Sequence, residues 1–251
     1  MNLKKCILTE NDCYKAGRKI KPAGVMVHST GANNPNIKRY VQPDDGILGV
    51  NNNNNHWNRP GVEKCVHAFI GKGKDGKIYT YQTLPFDRRG WHAGGTANNT
   101  HISFEICEDD LTGKEYFNSV YKEAVEFTAY LCRQYGFDPM KDGVILCHSE
   151  GYERGIASQH GDVMHWFPKH GKNMDDFRRD VKSAMDGEDM EKEVRYKTLD
   201  DVPTWGKATV QKLLNKDLLY GGDNGLDISE DMLRIFVIND RAGLYGGIEE
   251  N

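Results

Sequence analysis

Short apolar runs, separated by polar and glycine-rich stretches, follow one another through the first 150 residues of the chain. They lie at 24–28, 65–70, 77–82, 101–107 and 144–147. Such short runs, rich in β-branched and aromatic side chains and bounded by turn residues, are typical of strands. Asp75 and Gly76, between the second and third runs, form a dipeptide that favours a hairpin. The pattern therefore predicts a central β-sheet.

Two longer segments carry apolar residues at steps of three and four, the period of a helix with one buried face. They are 115–135, which Gly136 follows as a terminator, and 173–185, which has acidic residues in its first turn. A shorter helix is predicted at 9–20, with Thr9 as its N-cap. Strands interspersed with helices predict an α/β fold, in which helices flank a central mixed sheet.

The composition changes near residue 187, where an acidic segment containing glycine is typical of a linker. We predict a first domain at 1–186, a linker at 187–193 and a small helical C-terminal module at 194–251. The module is expected to contain helices at 206–215 and 232–239. A small module beside a larger domain suits attachment to a target or formation of a homodimer.

Histidines stand at the ends of two predicted strands. His28 closes the first run, and His148 directly follows the last. Strand ends are rigid, and two strands can bring both imidazoles to the same edge of a sheet. His160 and Asp162 come soon afterwards, and histidine and carboxylate are ligands of catalytic zinc sites, which use three protein ligands. This pattern favours a metal site, although spacing alone also fits histidines that are merely hydrogen-bonded at strand ends.

Glu105 lies in the middle of an otherwise apolar run. An unpaired buried carboxylate is costly, so Glu105 must either pair with a cation or face a cavity. If it faces a metal site, a raised pKa would suit it to general base catalysis.

Trp91 and His92 stand among glycines, where a ligand could come close to the backbone. A tryptophan packed under a loop is the other explanation.

Charge and cysteine content narrow the classes of function. A net charge of −4 over 251 residues gives no support for nucleic-acid binding. No apolar run approaches the ~20 residues of a membrane helix, so membrane insertion is not expected. The apolar segment at 6–8 is too short for a signal peptide, and synthesis in the cytoplasm is expected. The 6 cysteines contain no CxxC pair, which predicts free thiols.

Five segments, taken in order, resemble the zinc-dependent N-acetylmuramoyl-L-alanine amidases of the type 2 family. This family includes phage endolysins and bacterial autolysins, and it shares its fold with the peptidoglycan-recognition proteins. The segments are VMVHST (25–30), CVHAFIGKGKDGKIYTYQ (65–82), RRGWHAGG (88–95), HISFEICED (101–109) and CHSEGYERGIASQHGD (147–162). The resemblance covers roughly residues 20–185. It implies hydrolysis, in bacterial peptidoglycan, of the amide that joins N-acetylmuramic acid to L-alanine of the stem peptide.

The resemblance also implies roles for individual residues. Zinc would be held by His28, His148 and Asp162, and Glu105 would be the catalytic acid. Many relatives have lysine where this chain has His160, which is expected to stabilise the oxyanion; the alternative is that His160 replaces Asp162 as ligand. Many relatives also have proline where this chain has Val163. The expected substrate contacts are Trp91, His92, Asn99 and Arg154.

Two other functions remain compatible with the sequence. The shared fold permits a non-catalytic peptidoglycan-recognition module, although such modules lack the complete ligand set. A zinc peptidase acting on the stem peptide is the second alternative, but the H-E-x-x-H motif is absent.

As in phage relatives, release through a holin would bring the protein to the cell wall. The C-terminal module weakly resembles a single surface-layer-homology repeat, which suggests wall attachment, with a homodimer as the competing interpretation.

Overall fold

The computed structural model describes residues 1–187, 195–222 and 225–246. Its internal contacts divide the chain into two compact units, Met1–Met190 and Glu191–Asn251. The predicted linker, 187–193, lies outside the described residues except for Gly187. The limits of the predicted domains therefore stay predictions.

The first unit is built on a six-stranded mixed sheet with the strand order β1-β4-β3-β5-β2-β6. The strands are β1 (Leu3–Lys5), β2 (Gly24–Asn33), β3 (Ala68–Lys72), β4 (Ile78–Gln82), β5 (His101–Glu108) and β6 (Ile145–Cys147). Neighbouring strands are parallel except for β3 and β4, which pair antiparallel across the predicted hairpin. The predicted central mixed sheet is confirmed.

Helices flank this sheet, as the apolar periodicity predicts. They are α1 (Asp12–Ala16), α2 (Lys114–Tyr135), α3 (His148–Glu153) and α4 (Met174–Asp186). The buried faces of α2 and α4 share one core with the sheet residues Val25, Val27, Ile102 and Phe104. These sheet residues alternate with Met26, His28, Ser103 and Glu105, so the pleat turns His28 and Glu105 away from that core.

The predicted helix at 9–20 is wrong in its limits, because only 12–16 is helical. Asn11 caps it instead of Thr9, and its side chain accepts the hydrogen bond of a first-turn amide at 2.9 Å. Asn11 is fully buried and also donates to the carbonyls of Trp57 and Lys64. The choice of cap thus depends on residues distant in the sequence, which local patterns do not reveal.

Two further differences lie close to the predicted site. The strand predicted at 65–70 begins only at Ala68, and Cys65 forms an isolated bridge with Trp91. His148 begins α3, a helix that is absent from those predicted from the sequence. Glu150 stabilises the start of α3, because its side chain accepts the backbone N–H of Cys147 at 3.1 Å.

The second unit contains α5 (Thr204–Asn215), α6 (Glu230–Arg241) and a short antiparallel pair, β7 (Arg195–Tyr196) with β8 (Ile228–Ser229). Tyr196, Val202, Val210, Ile228 and Leu233 form its core. Both predicted helices are present, but the strand pair was not predicted, because two-residue strands leave no periodic signal. Across the described residues, none of the helices is long and apolar enough to cross a membrane.

Candidate active site

Strands β2 and β6 bring His28 and His148 to the same place. His28 lies within β2, and His148 follows the last residue of β6 as the first residue of α3. The neighbouring strands are in register, with Val27 of β2 opposite Cys147 of β6. Both histidines are buried, with 1% and 4% of their surface exposed. The rigid sheet therefore fixes the backbone beneath both imidazoles.

Asp162 completes a compact cluster with these two histidines. Its Oδ2 lies 2.8 Å from Nδ1 of His28 and 2.8 Å from Nδ1 of His148. The two Nδ1 atoms are 3.2 Å apart. One ligand atom from each residue lies within 4.8 Å of the others, an arrangement that could hold a metal ion. Two imidazoles and one carboxylate are a donor set of catalytic zinc sites.

The backbone at Asp162 has an unusual conformation. Asp162 starts a 3-10 turn, Asp162–His165, with φ +43°, in the left-handed region that residues other than glycine seldom occupy. Val163 is fully buried in the main core. At the end of the turn, Nε2 of His165 lies 3.0 Å from Oε1 of Glu108, which also accepts the N–H of Gly31. The packing of Val163 and this carboxylate hold the turn, and Asp162 with it, against β2 and β5.

Burial and hydrogen bonding set the protonation of the cluster. Burial favours a higher pKa for Asp162, but the hydrogen bonds from His148 and His28 outweigh it and hold the pKa well below its usual range. Burial lowers the pKa of His28, although the contact with Asp162 opposes this. Asp162 is thus a carboxylate and His28 a neutral imidazole near neutral pH. These are the protonation states in which both side chains bind metal ions.

Further contacts orient the two imidazoles through Nε2, the ring nitrogen that faces away from Asp162. Nε2 of His28 lies 3.0 Å from Nδ1 of His92, and Nε2 of His148 lies 3.3 Å from Oγ of Ser158. Ser158 in turn donates to the carbonyl of Ala93 at 3.2 Å. Because each Nδ1 points into the cluster, each Nε2 is available for these partners. Such partners fix the orientation and the tautomer of a ligating histidine.

His92 therefore has a position that the sequence did not predict. It stands behind His28, and burial lowers its pKa well below the usual value, which keeps its ring neutral. Ser158 was missed altogether, because a serine in a polar loop carries no signal of its own. Its closeness in sequence to His160 and Asp162 is the one clue that the chain offers.

Glu105 lies next to the cluster. It is the cross-strand neighbour of His28 in the parallel pairing of β2 and β5. Its Oε2 is buried and has no hydrogen-bond partner among the described residues. Burial, followed by the charges of Asp162 and Glu108, raises its pKa well above the usual value. A carboxyl group with an unpaired oxygen and a raised pKa is suited to accepting and donating protons in a reaction.

His160 occupies the exposed side of the cluster. Its ring centre lies 4.7 Å from that of His148, and the two planes are tilted by 55°. Within the described part of the chain, the group of converging ligand atoms consists of His28, His148 and Asp162, without His160. Asp162 is therefore better placed than His160 as a ligand, and the role of His160 stays a prediction.

The remaining predicted substrate contacts lie on the surface of the first unit. Trp91 is 48% exposed, and the guanidinium of Arg89 lies 5.4 Å from the centre of its ring. Asn99 accepts a hydrogen bond from Nε of Arg89 at 2.7 Å. Arg154 forms a two-pronged ion pair with Asp142. Binding a stem-peptide carboxylate would require Arg154 to exchange this partner, and the substrate roles stay predictions.

Solved structures share the fold of the first unit. A point mutant of PlyL has 19% sequence identity, covers 73% of this chain and 99% of its own, and has a TM-score of 0.51. The catalytic domain of PlyG has 20% identity, coverage of 74% and 96%, and a TM-score of 0.50. The hydrolase AmiA of Staphylococcus aureus, in complex with its ligand, has 17% identity, coverage of 75% and 86%, and a TM-score of 0.50. At these identities the likeness establishes the fold.

The sequence itself carries the family assignment. No curated protein matches this chain. Residues 18–165, more than half of the chain, match the sequence profile described as N-acetylmuramoyl-L-alanine amidase. This range contains His28, Glu105, His148 and Asp162, the residues that the fold brings together. The chain belongs to the type 2 family of N-acetylmuramoyl-L-alanine amidases.

Proposed function

We propose that this amidase is a zinc-dependent peptidoglycan hydrolase that cuts the amide between N-acetylmuramic acid and L-alanine of the stem peptide. One observation carries the proposal. Nδ1 of His28, Nδ1 of His148 and Oδ2 of Asp162 converge beside the unpartnered carboxyl group of Glu105. A peptidoglycan-recognition module without catalysis has no need of such a carboxyl, whose burial costs free energy.

The donor set fits zinc in number and kind. Three protein ligands leave an open position, and each ligating imidazole has a hydrogen-bond partner on its other nitrogen. When bound, zinc would supply a Lewis acid that lowers the pKa of a water molecule to ~7 and polarises the scissile carbonyl.

Glu105 transfers the proton, and His160 stabilises the charge that develops during the reaction. Glu105 takes a proton from the attacking water and delivers it to the nitrogen of the leaving group, which departs as the free amino group of L-alanine. The high pKa of Glu105 favours the delivery step. His160 faces the open side of the cluster, where it stabilises the negative charge that develops on the carbonyl oxygen.

Product analysis tests the reaction directly. Digestion of purified Gram-positive cell walls is expected to release free L-alanine amino termini, in parallel with the loss of turbidity. New amino termini of other residues would instead assign the protein as a peptidase. Binding to walls without any new amino terminus, in zinc-loaded protein, would assign it as a recognition module.

His92→Ala is expected to weaken zinc binding by about 10–100-fold, because it removes the group that orients His28. Competition with a chromogenic chelator measures this affinity without any assay of hydrolysis. Trp91→Ala is the matched control, since Trp91 is the exposed neighbour of His92 and is expected to leave the affinity unchanged. If His92→Ala binds zinc as tightly as the wild type, His92 does not orient His28 for metal binding. The role predicted from the sequence, contact with the substrate, would then be the one left for His92.

The second unit and the route to the wall stay predictions. Helix α6 exposes Met232, Ile235 and Ile238, apolar side chains that binding to the wall or to a second copy of the chain would cover. Phage origin, synthesis in the cytoplasm and release through a holin rest on the family resemblance. Binding to isolated walls is compared between the full-length chain and a chain that ends at residue 187. Weaker binding by the shorter chain would support wall attachment by the second unit, and equal binding would favour dimer formation.

A further inference from the structure

One short segment of the chain lies behind both ligating histidines. It comprises residues 92–98, and we call it the backing loop. At its start, Nδ1 of His92 lies 3.0 Å from Nε2 of His28. Ala93 and Ala97 are fully buried and pack against apolar residues of β2 and β6. The backing loop therefore lies against the two strands that position the ligating histidines.

The contact of the backing loop with the second histidine runs through Ser158. The carbonyl of Ala93 accepts a hydrogen bond from the backbone N–H of Ser158 at 2.8 Å and another from its hydroxyl at 3.2 Å. While it donates to this carbonyl, the hydroxyl oxygen can accept from Nε2 of His148, 3.3 Å away. Gly94 permits this approach, because a Cβ there would lie 2.6 Å from Oγ of Ser158. The position of the Ala93 carbonyl thus sets the hydroxyl that orients His148.

Asn98, at the end of the backing loop, holds its start in place. Oδ1 of Asn98 accepts the backbone N–H of His92 and that of Ala93, each at 2.9 Å. Asn98 is only 2% exposed, so little water reaches this oxygen. The neighbouring Asn99, in contrast, is exposed and accepts from a surface arginine. One buried oxygen therefore fixes the two backbone positions from which the contacts with both ligating histidines start.

The backing loop depends on this oxygen for two reasons. Within the part of the chain that the structure describes, no other group accepts the N–H of His92 or of Ala93. Ala93 is fully buried, so loss of the oxygen would leave its N–H without a partner, at a cost in free energy. Gly94 and Gly95 follow directly, and glycines leave an unsupported backbone free to take other conformations.

We infer that Asn98 is a positioning residue for the metal centre. It acts through the backing loop, because it fixes the backbone that holds the partner of each Nε2 atom. Such partners set the orientation of a ligating histidine and thereby its affinity for the metal. The inference rests on the proposed zinc site, whereas the hydrogen bonds of Asn98 to the backing loop belong to the metal-free chain.

Zinc affinity, measured by competition with a chromogenic chelator, tests the effect on the metal centre. Asn98→Ala is expected to weaken zinc binding by about 10–100-fold. Asn98→Asp keeps an oxygen in the accepting position and is expected to keep the affinity near that of the wild type. If Asn98→Ala does not fold, Asn98→Ser takes its place, since the shorter serine side chain cannot reach both N–H groups.

Asn11→Ala is the matched control for a general loss of stability. Asn11 is also a fully buried asparagine, but its hydrogen bonds cap α1 and join it to Trp57 and Lys64. This substitution is expected to lower the melting temperature and to leave the zinc affinity unchanged. An equal loss of affinity in Asn11→Ala and Asn98→Ala would overturn the inference, because the effect would then reflect stability alone.

A combined variant tests the route by which Asn98 acts. In a chain that already carries His92→Ala and Ser158→Ala, both contacts of the backing loop with the ligating histidines are lost. Adding Asn98→Ala to this chain is expected to weaken zinc binding by about 2-fold or less, because the residues through which it acts are gone. A full 10–100-fold loss in this background would show that Asn98 acts by another route, which would overturn the inference.

Hydrogen exchange of the metal-free chain tests the hold of Asn98 on the backing loop. Exchange at the amides of residues 92 and 93 is expected to be about 10-fold faster in Asn98→Ala and unchanged in Asn98→Asp and Asn11→Ala. Wild-type exchange at both amides in folded Asn98→Ala would overturn the inference. A wild type that binds no zinc would instead overturn the proposed function, whereas a zinc-binding wild type matched in affinity by Asn98→Ala would overturn the inference alone.

Discussion

Glu105→Gln is expected to lower peptidoglycan hydrolysis by about 10²–10⁴-fold, the usual contribution of a general acid–base group. Glutamine keeps the shape of the side chain but cannot carry the proton from water to the leaving nitrogen. Zinc content should not change, because the converging ligand atoms belong to His28, His148 and Asp162. Turbidity loss of purified walls measures the rate, and elemental analysis measures the metal. Hydrolysis by Glu105→Gln at the wild-type rate would remove Glu105 from the mechanism.

The same substitution is expected to remove one cause of the fall in stability of the metal-free protein as the pH rises above acidic values. The pKa of Glu105 is higher in the folded chain than in the unfolded chain, chiefly through burial. The wild type therefore keeps its full stability only below the unfolded pKa, near 4.3, and loses stability as the pH rises towards the folded pKa. A glutamine side chain does not titrate, so this loss of stability with rising pH should be absent from Glu105→Gln.

Glu108→Gln is the matched control for this stability effect. Glu108 lies in the same strand, but its Oε1 accepts the N–H of Gly31 and contacts His165. Replacing a partnered carboxylate should lower the free energy of unfolding. Urea unfolding of the metal-free proteins at several pH values separates the two cases. An unchanged pH dependence of stability in Glu105→Gln, relative to the wild type, would contradict the high pKa of Glu105.

Removal of the metal by a chelator is expected to abolish wall hydrolysis, and added zinc should restore it. Glu105 and His160 alone cannot polarise the carbonyl or activate water to the required extent. Magnesium is the control, because it prefers oxygen ligands in octahedral geometry and suits two imidazoles poorly. Hydrolysis that survives complete removal of the metal would contradict the zinc mechanism.

The fold is expected to survive this treatment. The metal-free cluster is held by its own contacts, since Asp162 accepts from both imidazoles. Binding of zinc should still raise the stability, by about 4 kcal/mol when zinc is at 1,000 times its dissociation constant. Circular dichroism should thus show an unchanged spectrum at room temperature and a lower melting temperature. Unfolding on chelation would show that the metal is structural.

The sheet and its large helices could be predicted because their signals are local. A buried strand such as 101–108 and an amphipathic helix such as α2 each show their period within a short window. Strand β1, Leu3–Lys5, carries two lysines, and pairing with β4 defines it more than its own residues do. The sequence likewise could not show that Asn11 would be the cap of α1, since its partners at Trp57 and Lys64 are distant.

In the site, too, some residues have a local signal in the sequence and others depend on distant parts of the chain. The sequence predicts His28 and His148 because each stands at the end of an apolar run. The strand end is wrong for His28, since β2 continues past it to Asn33, where the side chains are polar or small. The positions of His92 and Ser158 behind these imidazoles depend on how the loops at 88–100 and 154–162 fold over the sheet. Val163 stands where many relatives have proline, and the sequence gives no reason for the difference. The structure shows Val163 fully buried, so that packing of an apolar side chain holds the turn.

Zinc content per chain of the wild type, Asp162→Ala and His160→Ala is the most direct test of the metal centre. We predict about one zinc in the wild type, little or none in Asp162→Ala, and about one in His160→Ala. Loss of zinc from His160→Ala with retention in Asp162→Ala would exchange the roles of the two residues. A wild type that binds no zinc, even when zinc is supplied during gentle purification, would contradict the proposed metal centre.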